Sequence, residues 1–422
     1  MNLPKEFIDY TRHLMGEDLY AAFEKGMSEE PPVSIRINPF KADIHHINIP
    51  LKDEDIEWCE YGIYLTKRPN FTFDPLLHAG LYYVQEASSM FVYHVLKQVV
   101  KNKVLMLDLC AAPGGKTTCA MSALPQGSKM FSNEPIRQRS QILNENIQKF
   151  GVQDICVTNN YAKDYQKSKL MFDVILTDVP CSGEGMFRKD EGAINEWSTK
   201  NVNDCQKLQR EIVSDIWDCL KPGGILIYST CTFNAHEDEE NVAWIADNLG
   251  ADFINIETKA EWNITGSLID KNPVYRFIPG KTRGEGIFMA VLQKHGDYDG
   301  KMSMSNIDAK ALKPLHVLYN GVEPDTIKGK QAIPHHSKAM STKLVENEYA
   351  KVEIDYNQAI AYLRKEAITL NCEAPKGIVL LTYQRHPIGF AKNIGNRANN
   401  LYPQEWKIKS SHIPQEDTTI IE

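Results

Sequence analysis

Residues 104–118 have the sequence VLMLDLCAAPGGKTT. An apolar run at 104–109 is followed by small residues and then by a polar segment, which is the pattern of a strand, a tight turn and a helix. Glycine and alanine let the backbone approach a ligand closely, and a helix N-terminus offers unpaired N–H groups and positive potential. The stretch therefore predicts a cofactor-binding turn at the start of an α/β domain.

Strands and helices continue to alternate from this turn to about residue 294. The predicted strands are 104–109, 129–132, 155–158, 172–177, 224–228 and 285–292, and the predicted helices include 116–124 and 137–150. Such alternation is typical of a largely parallel sheet with helices on its faces. We therefore predict a doubly wound, Rossmann-like α/β core at residues 101–296.

The cofactor class follows from two acids and the turn. Asp108 ends the first predicted strand, and Glu134 follows the second, where a carboxylate can accept from ribose hydroxyls. A phosphate-binding P-loop is the main alternative, but that loop requires glycine five residues before Gly115, where this chain has Cys110. A second alternative, that the turn has only a packing role and binds no ligand, remains open. The pattern favours a nucleoside cofactor without phosphates, S-adenosyl-L-methionine.

Two cysteines follow two of the other predicted strands. Cys181 lies in TDVPCSG (177–183) and Cys231 lies in YSTCT (228–232). Because the carboxyl ends of parallel strands form the ligand crevice of an open sheet, we expect both thiols at the rim of one pocket, beside Asp178. The other cysteines outside the turn are interpreted as small packed side chains: Cys59, Cys119, Cys156, Cys205, Cys219 and Cys372.

Two thiols beside a methyl donor indicate a specific reaction. Carbon 5 of a pyrimidine is a poor nucleophile, but addition of a thiolate to carbon 6 makes it reactive toward a methyl group. A nearby acid or lysine can polarise the ring, and Asp178 and Lys116 are the candidates. The alternative for Asp178 is a structural cap in a turn, and the alternative for Lys116 is a solvated lysine at the start of a helix. A second thiol can assist the elimination that completes the reaction.

The composition limits the other possibilities. The chain has 422 residues, nine scattered cysteines without a CxxC pair, and a formal net charge of −8. No apolar run reaches the roughly 18 residues of a membrane span, and no signal peptide is visible. We expect a cytoplasmic protein without a disulfide framework, a bound metal or a basic field over its whole surface, and we expect a monomer.

The flanking regions suggest three further parts. Residues 1–100 are predicted to form an α-rich N-terminal extension with one strand near 33–37, and residues 297–350 a linker and connecting segment that is most polar at 297–308. Residues 351–422 are predicted to form a small α+β domain, with a helix at 356–367 and strands at 377–383 and 387–392. The segment from Lys376 to Ser410 contains six basic residues and one acid, Glu405.

The motifs closely resemble those of the NOP/Sun family of RNA cytosine-5 methyltransferases, over nearly the whole chain. Residues 108–117 (DLCAAPGGKT) resemble the cofactor loop of the family, 178–183 (DVPCSG) its Pro-Cys motif, and 229–232 (STCT) its Thr-Cys motif. The acids of 237–241 are similar to a helix first turn of the family, which the helix dipole favours. Segments 35–38 (IRIN) and 83–86 (YVQE) are similar to leader elements. Gly280 is a departure, since relatives often carry histidine there.

The resemblance implies roles for individual residues. Cys231 is expected to be the nucleophile and Cys181 to assist product release, while Asp178 and Lys116 hold a cytosine flipped out of its stack. The expected cofactor residues are Cys110, Ala111, Ala112, Pro113, Gly114, Gly115, Lys116, Glu134, Arg139, Asn160 and Asp178. Asn160 stands where the family usually has an acid near the adenine.

The C-terminal part resembles the PUA-like domain of the ribosomal RNA branch of the family, the RsmF-type enzymes. The resemblance implies methylation of small-subunit ribosomal RNA, with transfer RNA methylation or a non-catalytic role in ribosome assembly as alternatives. Arg36, Lys392, Arg397 and Tyr402 are the expected RNA contacts. Tyr402 and Trp406 can instead pack in the core of the C-terminal domain.

Overall fold

The computed structural model describes residues 3–298, 309–329, 331–410, 412–414 and 416–422. The helices are α1 (Lys5–Ser28), α2 (Pro75–His78), α3 (Phe91–Val99), α4 (Gly115–Ala123), α5 (Arg137–Phe150), α6 (Asp164–Ser168), α7 (Glu191–Glu196), α8 (Thr199–Trp217), α9 (Glu239–Ile245), α10 (Ala309–Leu312), α11 (His336–Met340) and α12 (Tyr356–Leu363). The strands are β1 (Val33–Ile37), β2 (Lys52–Asp55), β3 (Gly62–Leu65), β4 (Tyr82–Val84), β5 (Leu105–Asp108), β6 (Lys129–Asn133), β7 (Ile155–Thr158), β8 (Phe172–Asp178), β9 (Leu220–Thr230), β10 (Ala251–Phe253), β11 (Val274–Phe277), β12 (Ile287–Lys294), β13 (Val317–Asn320), β14 (Thr326–Lys328), β15 (Gln331–Ile333), β16 (Ala350–Glu353), β17 (Gly377–Tyr383), β18 (His386–Asn393) and β19 (Ala398–Asn400).

A nine-stranded sheet forms the centre of the molecule. Its order is β10-β12-β9-β8-β5-β6-β7-β13, with β11 also pairing β12. Strands β5 to β9 are parallel, and their outer neighbours β12 and β13 run antiparallel to them. Strands β10 and β11 pair antiparallel with β12. Side chains alternate between the faces: Met106 packs with α3, α4 and α5, whereas Leu105 and Leu107 pack with α6, α8 and α9. The predicted doubly wound core is confirmed.

The strand order decides where the predicted site residues lie. Strand β5 is central, between β6 and β8, and β9 lies next to β8. The carboxyl ends of all four strands therefore open on the same edge, which is where an open α/β sheet binds its ligands.

The N-terminal extension contains α1, as predicted, and more sheet than the sequence indicated. Strands β2, β3, β1 and β4 form an antiparallel sheet in that order, of which only β1 was predicted. Helix α1 packs Phe7 and Phe23 against Phe187 and Phe233, which lie in the two loops that follow Cys181 and Cys231. The extension thus covers one side of the cysteine loops.

The packing around Gly280 explains why this chain has glycine at that position. Its φ is +82°, and a Cβ built on it would lie 1.9 Å from the carbonyl oxygen of Ala22 in α1. A side chain at this position would push α1 away from the α/β core, so glycine is required by the packing of this chain.

The connecting segment does more than link domains. The predicted polar linker at 297–308 lies mostly outside the described residues, which stop at 298 and resume at 309. Beyond it, β13 pairs antiparallel with β7 and extends the central sheet at its edge. Helix α11 packs against α5 and β18. The prediction of a plain connection for 297–350 therefore missed a strand of the main sheet.

The C-terminal domain consists of the four-stranded sheet β16-β17-β18-β19 and helix α12. Strands β17 and β18 confirm the predicted pair, joined at Gln384 and Arg385, whose φ values of 47° and 65° suit a tight hairpin turn. Its core is continuous with that of the N-terminal extension, since Ile35 and Leu76 belong to the same apolar cluster as Val379 and Ile388. In the described part of the chain, no helix has the length and apolar character needed to cross a membrane.

Candidate active site

Cys181 and Cys231 lie side by side at the carboxyl edge of the sheet. Strands β8 and β9 are parallel neighbours, with Asp178 opposite Ser229 at their ends. The two loops that follow bring the sulfur atoms of Cys181 and Cys231 to 3.2 Å from each other, and both side chains are partly exposed. The structure therefore places the two thiols in one site, although they are 50 residues apart in sequence.

Buried acids hold the two cysteine loops together. The Glu237 carboxylate accepts from the Ser182 backbone N–H (3.0 Å) and from Nδ2 of Asn234 (2.8 Å). The Glu184 carboxylate accepts from the Thr232 hydroxyl (2.6 Å) and from the Phe233 backbone N–H (2.7 Å). Each carboxylate joins one loop to the other, so the positions of the thiols are coupled.

The acids of 237–241 differ in role from the expectation. Glu237, Asp238 and Glu239 are all 0% exposed, and two of them form ion pairs with the buried Arg276. Asp238 also accepts from the Thr230 hydroxyl, at the residue before Cys231. Glu239 and Glu240 do lie in the first turn of α9, and the acids before them add side-chain pairs in the interior.

Asp178 and Lys116 form an ion pair at the same edge. Nζ of Lys116 donates to Oδ2 of Asp178 (2.8 Å), and the Ser229 hydroxyl donates to Oδ1 (3.0 Å). Burial lowers the pKa of Lys116, but the Asp178 carboxylate raises it more, so the net shift is upward and the lysine stays charged. The ammonium of Lys116 is therefore already paired with a carboxylate at the rim of the site.

The surroundings of Cys181 change the acidity of its thiol. The neighbouring Cys231 sulfur and burial both raise the pKa of the Cys181 thiol well above its usual value. The raised pKa favours the protonated form of Cys181, whose sulfur lies within hydrogen-bonding distance of the Cys231 sulfur.

The predicted cofactor turn has the expected geometry. Gly114 has φ +112°, which places the N-terminus of α4 directly after the turn. Below it, the Asp108 side chain is fully buried, accepts from the Thr117 hydroxyl (2.6 Å), and has a second oxygen without a partner among the described residues. Burial raises the pKa of Asp108 to about 7.

A cavity of about 460 Å³ extends from the turn to Cys231. Its walls include Cys110–Pro113, Gly115, Lys116, Asp178 and Cys231, so the loop and the nucleophile candidate face the same space. This volume is in the range of small-molecule sites in proteins.

Glu134, Arg139 and Asn160 lie beside the turn and outside the walls of this cavity. Arg139 donates to the carbonyl of Ala112 (3.1 Å) and lies 3.5 Å from the Glu134 carboxylate. The Asn160 side-chain oxygen accepts from the His316 backbone N–H (3.0 Å). A carboxylate at the end of β6, small residues in the turn and the unpartnered oxygen of Asp108 together suit a nucleoside with a cationic methionine part, so these residues fit S-adenosyl-L-methionine.

Two of the expected RNA contacts are wrong, because their side chains are buried. Arg36 is 1% exposed and donates to Gln85, Thr118 and Ser122. Arg36 thereby fastens the extension to α4.

Tyr402 is also 1% exposed, and it packs with His336, Tyr362 and Trp406 in the C-terminal domain. The alternative of core packing is therefore correct for this residue. Arg397 is exposed, and Lys392 is half-buried with Nζ on Gln331. Cys372 is exposed, contrary to its interpretation as a packed side chain.

The cavity also has walls that the sequence did not assign to the site. They come from the extension (Tyr83, Val84, Gln85, Glu86, Ser89), from the loop after Cys181 (Gly185, Met186, Lys189) and from the start of β12 (Glu285, Gly286, Ile287). The resemblance of 83–86 to a leader element was the one available signal for this set.

Comparisons with known proteins agree with this architecture. Residues 95–293 match the family model of the 16S rRNA methyltransferase RsmB/F. Residues 3–87 match the N-terminal domain of 16S rRNA methyltransferase RsmF, and residues 349–408 match the methyltransferase RsmF PUA domain.

The relatives and solved structures extend the likeness. The chain is 27% identical to the ribosomal RNA small subunit methyltransferase F of Aeromonas salmonicida, over 96% of this chain and 97% of that protein. It is 34% identical to that of Pectobacterium atrosepticum, over 58% of this chain and 53% of the relative. NSun6 from Pyrococcus horikoshii with SFG is similar in fold, with a TM-score of 0.57 and 20% identity over 70% of this chain and 99% of that chain.

Proposed function

Since this chain belongs to the RsmB/F family of methyltransferases, we propose that it methylates carbon 5 of a cytosine in small-subunit ribosomal RNA through a covalent bond to Cys231. The observation that carries this proposal is the position of Cys231 on the wall of the cavity that the turn at 110–116 lines, with the Cys181 sulfur 3.2 Å from the Cys231 sulfur. The names of the relatives support ribosomal RNA as the substrate.

The Cys231 thiolate adds to carbon 6 of the flipped cytosine, which places electron density on carbon 5. When bound, S-adenosyl-L-methionine supplies an electrophilic methyl group to that carbon. Transfer of the carbon-5 proton to solvent water then restores the bond between carbons 5 and 6 and expels the Cys231 sulfur as a thiolate. The protonated Cys181 can donate to the departing sulfur, which favours release.

Asp178 and Lys116 orient the base. One carboxylate oxygen of Asp178 accepts from Lys116 and the other from Ser229, so the pair is fixed before the substrate binds. A carboxylate can accept from the exocyclic amine of cytosine, and the nearby ammonium can polarise the ring as the thiolate adds.

The cofactor is proposed to lie along the turn and the end of β6. Residues Cys110 to Lys116 surround its methionine part, Glu134 accepts from the ribose hydroxyls, and Arg139 braces the turn through Ala112. Asn160 is the proposed partner of the adenine amine, with its backbone fixed by Asn133.

The exposed Arg397 and the partly exposed Lys392 are proposed to contact RNA at the C-terminal domain. We also propose that the protein acts as a monomer in the cytoplasm without a metal ion.

The test uses ribosomal RNA and a labelled methyl donor. Wild-type protein should produce 5-methylcytosine, Cys231→Ala should produce none, and Cys181→Ala should accumulate a protein–RNA adduct that survives a denaturing gel. Cys205→Ala is the matched control, because Cys205 is a partly exposed cysteine on α8. Full activity of Cys231→Ala refutes the nucleophile assignment. Activity on transfer RNA alone favours the transfer RNA alternative, and RNA binding without methylation favours the non-catalytic one.

A further inference from the structure

A second cavity, of about 430 Å³, opens directly beside the active cavity. The two share Val84, Gln85, Glu86 and Lys189 as walls. The other walls of the second cavity come from residues 30–34 and Arg68 of the extension, and from Arg188. The two cavities thus form one cleft between the N-terminal extension and the loop that follows Cys181.

Two cationic side chains line this cleft and have N–H groups available for a ligand. Lys189 stands where the cavities meet; its side chain is 36% exposed, and Nζ lies 3.5 Å from Oε1 of Glu285, which is an ion pair too long for a good hydrogen bond. Arg68 is exposed and stacks over Phe71 (5.5 Å), and no ion pair among the described residues involves it.

The neighbouring Arg188 has a different function. Its guanidinium donates to Glu285 (3.0 Å) and to the carbonyls of Gly26 (2.8 Å) and Gly284 (2.7 Å), and its side chain is 5% exposed. Arg188 therefore fixes the loop that carries Lys189, and its charge is already used inside the protein.

The acid in the shared wall is held by backbone donors. The Glu86 carboxylate accepts from the backbone N–H groups of Ser88 (2.8 Å), Ser89 (2.8 Å) and Glu285 (3.1 Å). These donors fix the carboxylate but leave its charge, and the exposed Glu30 is a second acid in the wall of the second cavity, so an anionic ligand must lie on the side of Lys189 and Arg68. Two consecutive prolines at 31 and 32, together with Val84, give the cleft an apolar wall against which a ribose or base can pack.

We propose that this second cavity binds the nucleotide adjacent to the target cytosine, with Lys189 and Arg68 contacting its backbone phosphates. The proposal rests on the proposed function, since it assumes that the target base occupies the active cavity. A flipped base remains joined to its strand, so the strand must leave through a neighbouring opening, and contacts to phosphate fix the register of the base without reading sequence.

The experiment uses short RNAs that contain the cytosine identified by bisulfite sequencing. In each RNA one phosphate beside this cytosine is replaced by an uncharged methylphosphonate. Lys189→Gln and Arg68→Gln are compared with Lys67→Gln, an exposed lysine next to Arg68 that does not line the cleft. Methylation rates and RNA affinity are measured over a range of salt concentrations.

Neutralising the contacted phosphate should lower kcat/KM of the wild type by roughly fivefold, the size of an exposed ionic contact. Lys189→Gln should show the same loss with unmodified RNA and no further loss with the neutralised RNA. Its slope of log K against log salt should decrease by about 0.7, as for one lost phosphate contact.

The proposal is overturned if Lys189→Gln and Arg68→Gln both behave like Lys67→Gln with every RNA. The same holds if the losses from the variant and from the methylphosphonate simply multiply, because the lysine then acts elsewhere. If the wild type methylates no RNA, the proposed function has failed, and the assignment of this cavity fails with it. Thermal melting of each variant separates a loss of contact from a loss of folding.

Discussion

Replacement of Glu184 by glutamine should loosen both cysteine loops at once. This side chain is buried, at 1% exposure. Its Oε1 accepts from Nε1 of Trp197 (2.9 Å) and Nδ2 of Asn234 (3.0 Å). Its Oε2 accepts from the Thr232 hydroxyl (2.6 Å) and from the backbone N–H groups of Phe233 (2.7 Å) and Asn234 (3.1 Å).

The size of the effect follows from these bonds. The glutamine amide has one oxygen and one nitrogen, so it can replace only one of the two carboxylate oxygens as an acceptor. The less costly orientation puts the nitrogen at the Oε1 position, where two donors lose their acceptor, because three donors point to Oε2. Hydrogen bonds to a charged group contribute about 1.5–3 kcal/mol each, which gives a destabilisation of roughly 3–6 kcal/mol. That is a large part of the ~5–15 kcal/mol of an ordinary domain. A shift of about 1 Å in the thiols should also lower the methylation rate about 100-fold.

Chemical denaturation and the rate of methyl transfer measure the two effects. Glu191→Gln is the control, because Glu191 is an exposed acid seven residues further along the same segment, and it should change stability by less than about 0.5 kcal/mol. If Glu184→Gln is as stable as this control and methylates at the wild-type rate, the buried carboxylate does not hold the loops together, and the coupling of the two thiols must have another source.

Three further variants test other parts of the structure. Arg276→Met leaves two buried carboxylates without their cation and should cost about 3–5 kcal/mol at neutral pH; in urea titrations this deficit should shrink as the pH falls, since protonation removes the unpaired charges. The raised pKa of Asp108, about 7, favours the protonated folded state. Its stabilising effect is therefore complete below the ordinary value of 3.8 and is lost as the pH rises to about 7; Asp108→Asn should flatten this part of the stability profile, which spans up to about 4 kcal/mol. Gly280→Ala should lower the melting temperature by several degrees, since its Cβ would meet the carbonyl of Ala22; an unchanged melting curve would show that α1 can move without cost.

The central fold could be predicted because its signals are local. Strand β7 and helix α5 have the predicted bounds, and the turn before α4 is set by Gly114 and its neighbours. Apolar runs, glycine positions and polar helix starts occupy consecutive residues, so they are visible without knowledge of contacts. Strand β13 lacked such a signal, because only two of its four side chains are strongly apolar and its place depends on the free edge of β7.

By itself the sequence determined the alternating core, the cofactor turn and the delivery of Cys181 and Cys231 to the ends of two strands. Only the tertiary structure decided that β8 and β9 are neighbours, which brings the sulfur atoms to 3.2 Å. It also decided that Arg36 and Tyr402 are buried. A side chain shows its chemical type in the sequence, but its exposure and its partners depend on segments far away along the chain, whose approach is set by the packing of the whole molecule.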